Sequence, residues 1–306
     1  FLDFDENDPE QHQLLHDGFE IKAAGNFLAT LVSGRSVHAI YPAIGGWLKF
    51  PDPAGVAEAI AKLQAARPAV RRLIGIFHRA PFHFDRQTNY MALLPERYGF
   101  ISGCIQTGQG LCIQEEQFRD HLEKVVLPYS QASAYRHRGE SYMVGALARM
   151  NLAKDRLHPK TKTDAAKALT VFPSTDIFHN NLAQAIEILH CLDDATDALV
   201  KTTFTPEPVA PLKPRAGVGV GVVEAPRGTL YHKVELGADG IVQRGEIVVP
   251  TGQNQFNIEE DIRTLVQGLL PDNPKEAMVV EIEKLIRAYD PCMSCGSHFL
   301  KVRWDC

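Results

Sequence analysis

The stretch Asp290-Pro-Cys-Met-Ser-Cys-Gly-Ser-His298 carries most of the information about fold and chemistry in this sequence. Its cysteines, Cys292 and Cys295, are spaced C-x2-C, which lets two thiolates from one tight turn reach a single metal ion. Pro291 disfavours helical geometry at the residue before it, and apolar residues at helical spacing over 273–288 predict a helix upstream. We therefore expect the cysteine pair just past a helix end.

Three kinds of site are compatible with this motif taken alone. His298 and Cys306 would complete a four-ligand structural zinc site, although the spacing C-x2-C-x2-H-x7-C is not that of a common zinc knuckle. A thioredoxin-like redox pair would follow a strand and open a helix, whereas here a helix is predicted before the motif. The third kind is a nickel or iron thiolate site, because soft sulfur ligands suit those metals.

Four further segments, all upstream of this motif, are also informative. They are Gly34-Arg-Ser-Val-His-Ala-Ile-Tyr-Pro-Ala-Ile-Gly-Gly46, Tyr142-Met-Val-Gly-Ala-Leu-Ala-Arg-Met-Asn151, Glu224-Ala-Pro-Arg-Gly-Thr-Leu-Tyr-His232 and Val248-Val-Pro-Thr-Gly-Gln-Asn254. Together the five segments resemble the conserved motifs of nickel-iron hydrogenase large subunits, and Arg-Gly-Thr-Leu-Tyr is most similar to the cytosolic multimeric branch. Ala39 and Ala146 stand where that family usually has proline.

The resemblance implies a nickel-iron centre with cyanide and carbon monoxide on the iron. Cys292 would bind nickel alone and relay a proton, and Cys295 would bridge the two metals. The resemblance places Arg227 above the metals, where a guanidinium can hydrogen-bond a cyanide and polarise dihydrogen, with Pro226 shaping the pocket wall. Without the flanking motif, the same arginine would read as an ordinary surface residue.

Further roles follow from the same resemblance. Thr251, after Pro250, would donate its hydroxyl to the second cyanide, or would simply be a turn residue. Asp290 would orient the arginine, or merely end a helix. His298 would bind a magnesium or iron ion, and the residues after it are either an uncut maturation tail or a retained one. His38 would lie near the proximal iron-sulfur cluster of a partner subunit.

One family motif is absent from the 306 residues. The family's other two nickel ligands come from an R-x-C-G-x-C motif near its N-terminus, and this sequence has none. Cys104 and Cys112 do not substitute by spacing, and Cys191 is predicted to pack on a helix. The first residue is Phe1. We therefore expect a single large-subunit domain over 1–306, corresponding to the C-terminal two-thirds of a large subunit, as a fragment or as half of a split subunit.

Residue patterns predict an α+β fold, a helix-rich bundle core with inserted β segments. Predicted helices span 56–63, 115–126, 141–151, 180–200 with asparagine caps, and 258–269 with a capping box from Asn257 to Glu260. A proline-rich linker is predicted near 200–215, a strand over 217–223, and a hairpin with strands 231–235 and 240–249 around the turn 237–240.

Composition limits the class of protein. A formal charge of -5 disfavours a nucleic-acid partner, and six cysteines in this length do not form a disulfide framework. No apolar run is long enough for a membrane span and no signal peptide is apparent, so we expect a cytoplasmic protein.

The function that the resemblance implies is reversible heterolytic cleavage of H2 to protons and electrons. Electrons would pass to an iron-sulfur small subunit, with diaphorase-type or similar subunits as further partners. Alone, the chain should be inactive, because half of the ligands are missing. The alternatives are a non-catalytic fragment or assembly form with a zinc or empty cysteine site, and a paralogous quinone-reductase subunit, which generally lacks Cys292 and Cys295.

Overall fold

The structure is a computed structural model that describes residue 5, residues 7–270 and residues 274–296. The chain forms two compact units. The first comprises the described residues up to Arg79, His158–Ala168 and Ala185–Pro214. The second comprises Ala80–Leu157, Leu169–Gln184 and the described residues from Arg215 onward.

Helices account for the larger share of the secondary structure. They are α1 Pro9–Ser33, α2 Pro53–His78, α3 Phe118–His121, α4 Ala146–Ala153, α5 Pro159–Asp164, α6 Ala166–Leu169, α7 His179–Lys201, α8 Pro250–Leu269 and α9 Lys275–Ala288, with short 3-10 turns at Glu115–Gln117 and Lys154–Arg156. The start of α7 belongs to the second unit and the remainder to the first.

In the described part of the chain, the strands form four small sheets. Their bounds are β1 Pro42–Ala43, β2 Gly46–Trp47, β3 Asn89–Leu94, β4 Cys104–Thr107, β5 Cys112–Ile113, β6 Glu123–Val125, β7 Ala134–Arg136, β8 Tyr142–Met143, β9 Gly217–Ala225, β10 Gly228–Leu236 and β11 Val242–Val248. The sheet orders are β1-β2, β5-β4-β3-β8, β6-β7 and β11-β10-β9. All pairs are antiparallel except β3 with β8.

The first unit contains a pair of long helices with matching starts. Asp8 and Asp52 cap α1 and α2, and each is followed by proline at the first helical position, where a missing N–H costs nothing. From α2, Arg67 donates to Asp193 at 2.7 and 3.1 Å and to Asp164 at 2.7 Å. These ion pairs join three separate segments of the unit.

The second unit is built around strands whose inward side chains meet. Met91, Leu93 and Ile105 from β3 and β4 are almost fully buried. Phe118 stacks on Tyr231 with ring centroids 4.8 Å apart. This core fixes the strand β10 that begins directly after Arg227.

Several sequence predictions are confirmed. The α+β class with inserted sheets is confirmed, as are the strand over 217–223 and the hairpin that follows it. Helix α7 matches the predicted 180–200 closely, because residues at helical spacing from Leu182 to Leu189 form its buried face. Residues 202–216 have neither helix nor strand, in agreement with the four prolines there.

Three helix predictions are wrong in whole or in part. The predicted helix 141–151 begins with β8, and α4 starts only at Ala146. The segment 115–126 gives only a short helical stretch before β6, because Lys124 pairs with Tyr135 and backbone bonds to β7 replace helical ones. The predicted capping box at Asn257 and Glu260 is also wrong. Helix α8 begins at Pro250, so Asn257 lies two turns inside it and is fully buried.

The cysteine predictions need two corrections. Cys104 and Cys112 lie on adjacent strands and form a disulfide, whereas the sequence analysis predicted no disulfide framework. Cys191 lies on α7 as predicted, but it is exposed rather than packed. Finally, none of the helices in the described part of the chain combines the length and apolar character that crossing a bilayer requires.

Candidate metal centre

The turn after α9 brings both cysteines of the C-x2-C motif together. The helix ends at Ala288, as the sequence predicted, and the backbone N–H groups of Cys295 and Gly296 both donate to the Cys292 carbonyl at 3.1 and 3.2 Å. Asp290 leaves the helix at φ 50°, in the left-handed region, rather than in the extended conformation that a following proline favours. One tight turn therefore carries both thiols.

The two thiols are free and electrostatically inequivalent. Cys292 is half-buried and Cys295 is exposed, and the Ser294 hydroxyl lies 3.2 and 3.9 Å from their sulfurs. Burial acts to raise the pKa of Cys292, but hydrogen bonds from Cys295 and Ser294 and the positive charge of Arg227 outweigh it, so that pKa falls below its ordinary value. The hydrogen bond to Cys292, and then burial, raise the pKa of Cys295. Cys292 is thus the first to become a thiolate.

The Arg227 side chain is fixed against this turn. Its Nε donates to the Asp290 carbonyl oxygen at 2.7 Å, and its Nη2 donates to Asp290 Oδ1 at 3.1 Å. Asp290 Oδ2 accepts a third bond from Gln184 Nε2 at 2.9 Å. The guanidinium is therefore held by two bonds to one residue, and that residue is itself held by α7.

Thr251 and Pro250 lie in the first turn of α8. The Thr251 hydroxyl oxygen accepts the backbone N–H of Cys292 at 3.1 Å, and both residues are buried. The threonine is therefore a helical residue and not a turn residue. Its own hydroxyl proton stays available to an acceptor, and the partial positive charge at the start of α8 favours a thiolate beside it.

Close backbone packing explains the glycines of two motifs. A Cβ on Gly145 would lie 3.1 Å from the Arg227 carbonyl oxygen, and one on Gly228 would lie 2.5 Å from Val144 Cγ2. Both glycines have positive φ values, 125° and 136°. Asn254 of a third motif accepts from and donates to the Val144 backbone at 2.9 and 3.0 Å. Three distant motifs thus meet at Val144.

A buried ion pair supports the segment before Arg227. Arg149 donates to Glu224 at 2.5 Å, and both side chains are fully buried. The same guanidinium donates to the carbonyl oxygens of Ala225 and Pro226 at 3.2 and 3.1 Å. Burial raises the pKa of Glu224, although Arg149 opposes that rise. Arg149 therefore fixes the backbone from which the Arg227 side chain projects.

Sequence reasoning missed two supporting residues on α7. Asn180 accepts from the Leu147 N–H at 3.0 Å and donates to the Ala288 carbonyl at 2.9 Å, so it joins α4 to the end of α9. It lies inside the helix, and the prediction of asparagine caps is wrong for this residue. Gln184 is the other missed residue. The only available signal was that both polar residues interrupt the apolar face of α7.

The remaining predicted site residues are less constrained. Pro226 is exposed beside Arg227. His38 is exposed in the first unit, with φ 58°, in the left-handed region. His298 lies outside the described residues, as does Cys306. The structure thus brings together Arg227, Thr251 and the turn 290–295.

Sequence comparisons identify relatives of this chain. A family model described as nickel-dependent hydrogenase matches residues 112–298. The alpha subunit of sulfhydrogenase 1 from Pyrococcus furiosus is 28% identical over 291 residues, covering 92% of this chain and 67% of that protein. The beta subunit of the NAD-reducing hydrogenase HoxS from Cupriavidus necator is 36% identical over 172 residues, covering 52% of this chain and 34% of that protein.

Solved structures share the fold. The crystal structure of an NAD+-reducing [NiFe]-hydrogenase in the H2-reduced state matches with a TM-score of 0.82 at 21% identity, over 94% of this chain and 70% of that one. A [NiFeSe] hydrogenase from Desulfovibrio vulgaris Hildenborough matches with a TM-score of 0.72 at 18% identity, over the same shares of the two chains. At these identities the structures support the fold alone, and the family model supplies the family. The chain belongs to the nickel-dependent hydrogenase family, as a large-subunit chain.

Proposed function

We propose that this chain is the large subunit of an enzyme that cleaves H2 reversibly and heterolytically, with Cys292 and Cys295 on one side of a nickel-iron centre. One observation carries the proposal. Two free thiols in a single turn lie within the electrostatic reach of a guanidinium that Asp290 holds in place.

The donor set fits half of such a centre. Thiolates are the soft ligands that nickel and iron accept, and the lowered pKa of Cys292 favours the deprotonated form that binds a metal. Of the other cysteines in the described residues, Cys104 and Cys112 are paired with each other and Cys191 lies on α7 in the first unit. We propose that two further sulfur ligands come from a segment outside these 306 residues.

Each residue of the turn has a distinct part in this scheme. When bound, a nickel-iron centre supplies the electrophilic site at which dihydrogen is polarised. Cys292 and Cys295 would hold the centre through their thiolates, and Cys292 would also hold the released proton. Ser294 Oγ, 3.2 Å from the Cys292 sulfur, is positioned to pass that proton on.

Arg227 and Thr251 would act on the ligands of iron. Two of the guanidinium's donors are used by Asp290, so the other N–H groups can stabilise charge above the turn. Thr251 already accepts the Cys292 N–H, so its hydroxyl would donate to a cyanide. Pro226 and Pro250 would form the wall around these two donors.

Electrons would leave through an iron-sulfur small subunit, with His38 facing its nearest cluster. Support comes from the relatives, which are alpha and beta subunits of enzymes with several subunits. Diaphorase-type subunits would complete an assembly that reduces a soluble acceptor. His298 would hold the magnesium or iron ion that the family resemblance implies.

Arg227→Lys in the assembled enzyme tests the proposal. Lysine keeps the positive charge but not the planar fork, so H2 turnover per bound nickel should fall about a hundredfold or more. Arg244→Lys, on the exposed strand β11, is the matched control and should leave turnover unchanged. Unchanged turnover in Arg227→Lys, with nickel still bound, would remove Arg227 from the mechanism.

A further inference from the structure

A second cluster of metal-binding side chain types occurs within the second unit, on segments other than the cysteine turn. His83 comes from the segment before β3, Asp176 comes from the segment before α7, and His179 is the first residue of α7. Backbone bonds hold the two segments together, from Ile177 N to Phe84 O at 3.1 Å and from Arg86 N to Thr175 O at 3.2 Å. The three side chains therefore converge on a scaffold that is already formed.

The two carboxylate oxygens of Asp176, at the centre of this cluster, contact different partners. Asp176 is 2% exposed, and its Oδ1 accepts the backbone N–H groups of Phe84 and Phe178 at 3.1 and 3.0 Å. Its Oδ2 lies 2.8 Å from His83 Nδ1 and 4.0 Å from His179 Nε2. The backbone thus requires only one oxygen, and two imidazoles face the other.

A hydroxyl orients the second imidazole. His179 Nδ1 lies 2.7 Å from Ser174 Oγ, which also accepts the Asp176 N–H at 3.1 Å. This contact directs the opposite ring nitrogen, Nε2, toward the carboxylate. Metal-binding histidines are typically oriented in this way, by a hydrogen bond to the nitrogen that does not contact the ion.

We propose that His83, Asp176 and His179 bind one divalent transition metal ion of the zinc class, with a remaining position open to water. The three ligand atoms all lie within 4.8 Å of one another. Ligands at about 2.0–2.2 Å from a tetrahedral ion lie about 3.3 Å apart, and the separations of 2.8 and 4.0 Å bracket that value. His83 is 65% exposed, which gives the ion a path from solvent.

The chemistry of the three ligands selects the kind of ion. His83 Nδ1 lies within hydrogen-bond distance of Asp176 Oδ2, and His179 Nε2 lies 4.0 Å from the same oxygen. A metal ion would reach all three atoms. Two imidazoles and one carboxylate favour zinc, nickel or cobalt over magnesium and calcium, which prefer oxygen ligands. The ion would join residues near 83 to the start of α7.

Another histidine and acid group in the chain provides a matched control. His16, Asp17 and Glu20 also lie close together on α1. Arg72 already donates to both oxygens of Asp17 at 2.6 and 2.7 Å, so a cation occupies that carboxylate. We therefore expect no ion at this second group.

Zinc binding to the full chain tests the proposal. The parent protein would carry Cys292→Ser and Cys295→Ser, so that the cysteine turn does not bind zinc, and bound Zn2+ would be measured by equilibrium dialysis. His83→Gln should weaken the affinity of one zinc equivalent by about a hundredfold or more, and His16→Gln should leave it unchanged. The exposure of His83 makes this substitution compatible with folding.

A second substitution separates metal binding from support of the backbone. Asp176→Asn keeps an oxygen for the Phe84 and Phe178 N–H groups but loses the charge, so zinc affinity should fall at least about tenfold while the chain stays folded. Circular dichroism checks the folding. The proposal is wrong if the parent binds no zinc equivalent that His83→Gln weakens, or if His16→Gln weakens zinc binding as much as His83→Gln does.

Discussion

The ion pair between Arg227 and Asp290 fixes the direction of the guanidinium and adds little to the stability of the fold. Their side chains are 40% and 34% exposed, and ion pairs with such exposure contribute about 0–1 kcal/mol to the free energy of unfolding. Two hydrogen bonds from one guanidinium to one residue nevertheless fix its direction. Loss of this pair should therefore reduce turnover more than stability.

Arg149 should behave differently, because it is fully buried and supports the backbone of the 224–227 segment. Lysine at this position can still pair with Glu224, but a compact ammonium cannot reproduce the planar fork whose two nitrogens also reach the carbonyl oxygens of Ala225 and Pro226. We expect Arg149→Lys in the assembled enzyme to lower H2 turnover per bound nickel by about tenfold, through misplacement of Arg227.

Arg149→Met distinguishes positioning from folding. It leaves the Glu224 carboxylate buried without its cation and should lower the free energy of unfolding by about 3–5 kcal/mol. Denaturant unfolding measures this loss. Normal turnover per nickel in Arg149→Lys would show that Arg149 serves stability alone.

That the motif residues lie close together could be predicted from sequence, but the residues that support them could not. Arg227 and Thr251 belong to recognisable motifs, and both contact the turn that carries the two cysteines. Asn180 and Gln184 belong to no motif. Asn180 contacts the Ala288 carbonyl, and Gln184 contacts the Asp290 carboxylate just after α9. Such contacts between distant segments leave no local pattern.

At the scale of elements, contacts between distant segments also explain the errors in the predicted helix boundaries. The residues from Pro250 to Asn257 lie outside the helix predicted from sequence, because they include proline, glycine and five polar side chains. In α8 four of those polar side chains are buried instead, and Gln253 donates to the Thr229 carbonyl at 2.7 Å. Tertiary hydrogen bonds thus override a weak local helix propensity. Helix α7 was predictable because its apolar spacing alone defines its buried face.

The ion pairs of Arg67 make a prediction for α2. Arg67→Met removes the guanidinium from Asp164 and from the buried Asp193, which keeps the more distant Lys160 ammonium at 3.8 Å. It should lower the free energy of unfolding by about 2–4 kcal/mol at neutral pH. Lys62→Met, which removes an exposed pair with Glu58 on the same helix, should change it by no more than about 0.5 kcal/mol.

The pH dependence of this effect follows from Asp164. The hydrogen bond from Arg67 lowers the pKa of Asp164 below its ordinary value of 3.8. A lowered carboxylate pKa stabilises the fold above pH 3.8, and that stabilisation is lost as pH falls through the folded-state value. The difference between wild type and Arg67→Met should therefore shrink below about pH 4. A difference that stays constant to pH 3 in denaturant titrations would contradict this account.

At the scale of the whole molecule, the chain has exposed apolar side chains on the segment that contains His38. Val37, Ile44 and Leu48 are 65%, 78% and 65% exposed. Clusters of this kind mark surfaces that bind another protein. We propose this segment as the contact for the small subunit.

The isolated 306-residue chain should show no H2 uptake. Its cysteine turn offers two thiols, whereas the family resemblance implies four sulfur ligands on nickel. The assay would compare the isolated chain with the assembled complex, using a dye as electron acceptor. Uptake by the isolated chain at the rate of the complex would mean that these residues complete the site alone.

Metal content of the assembled complex tests the central claim most directly. Nickel, iron and zinc would be measured by mass spectrometry in wild type, in Cys292→Ser, and in Cys191→Ser, whose exposed thiol lies on α7. We expect about one nickel per chain in wild type and in Cys191→Ser, and loss of nickel from Cys292→Ser, because its remaining sulfur ligands cannot hold the soft metal site. Zinc in place of nickel in wild type, or nickel retained in Cys292→Ser, would contradict the assignment of this turn to a nickel-iron centre.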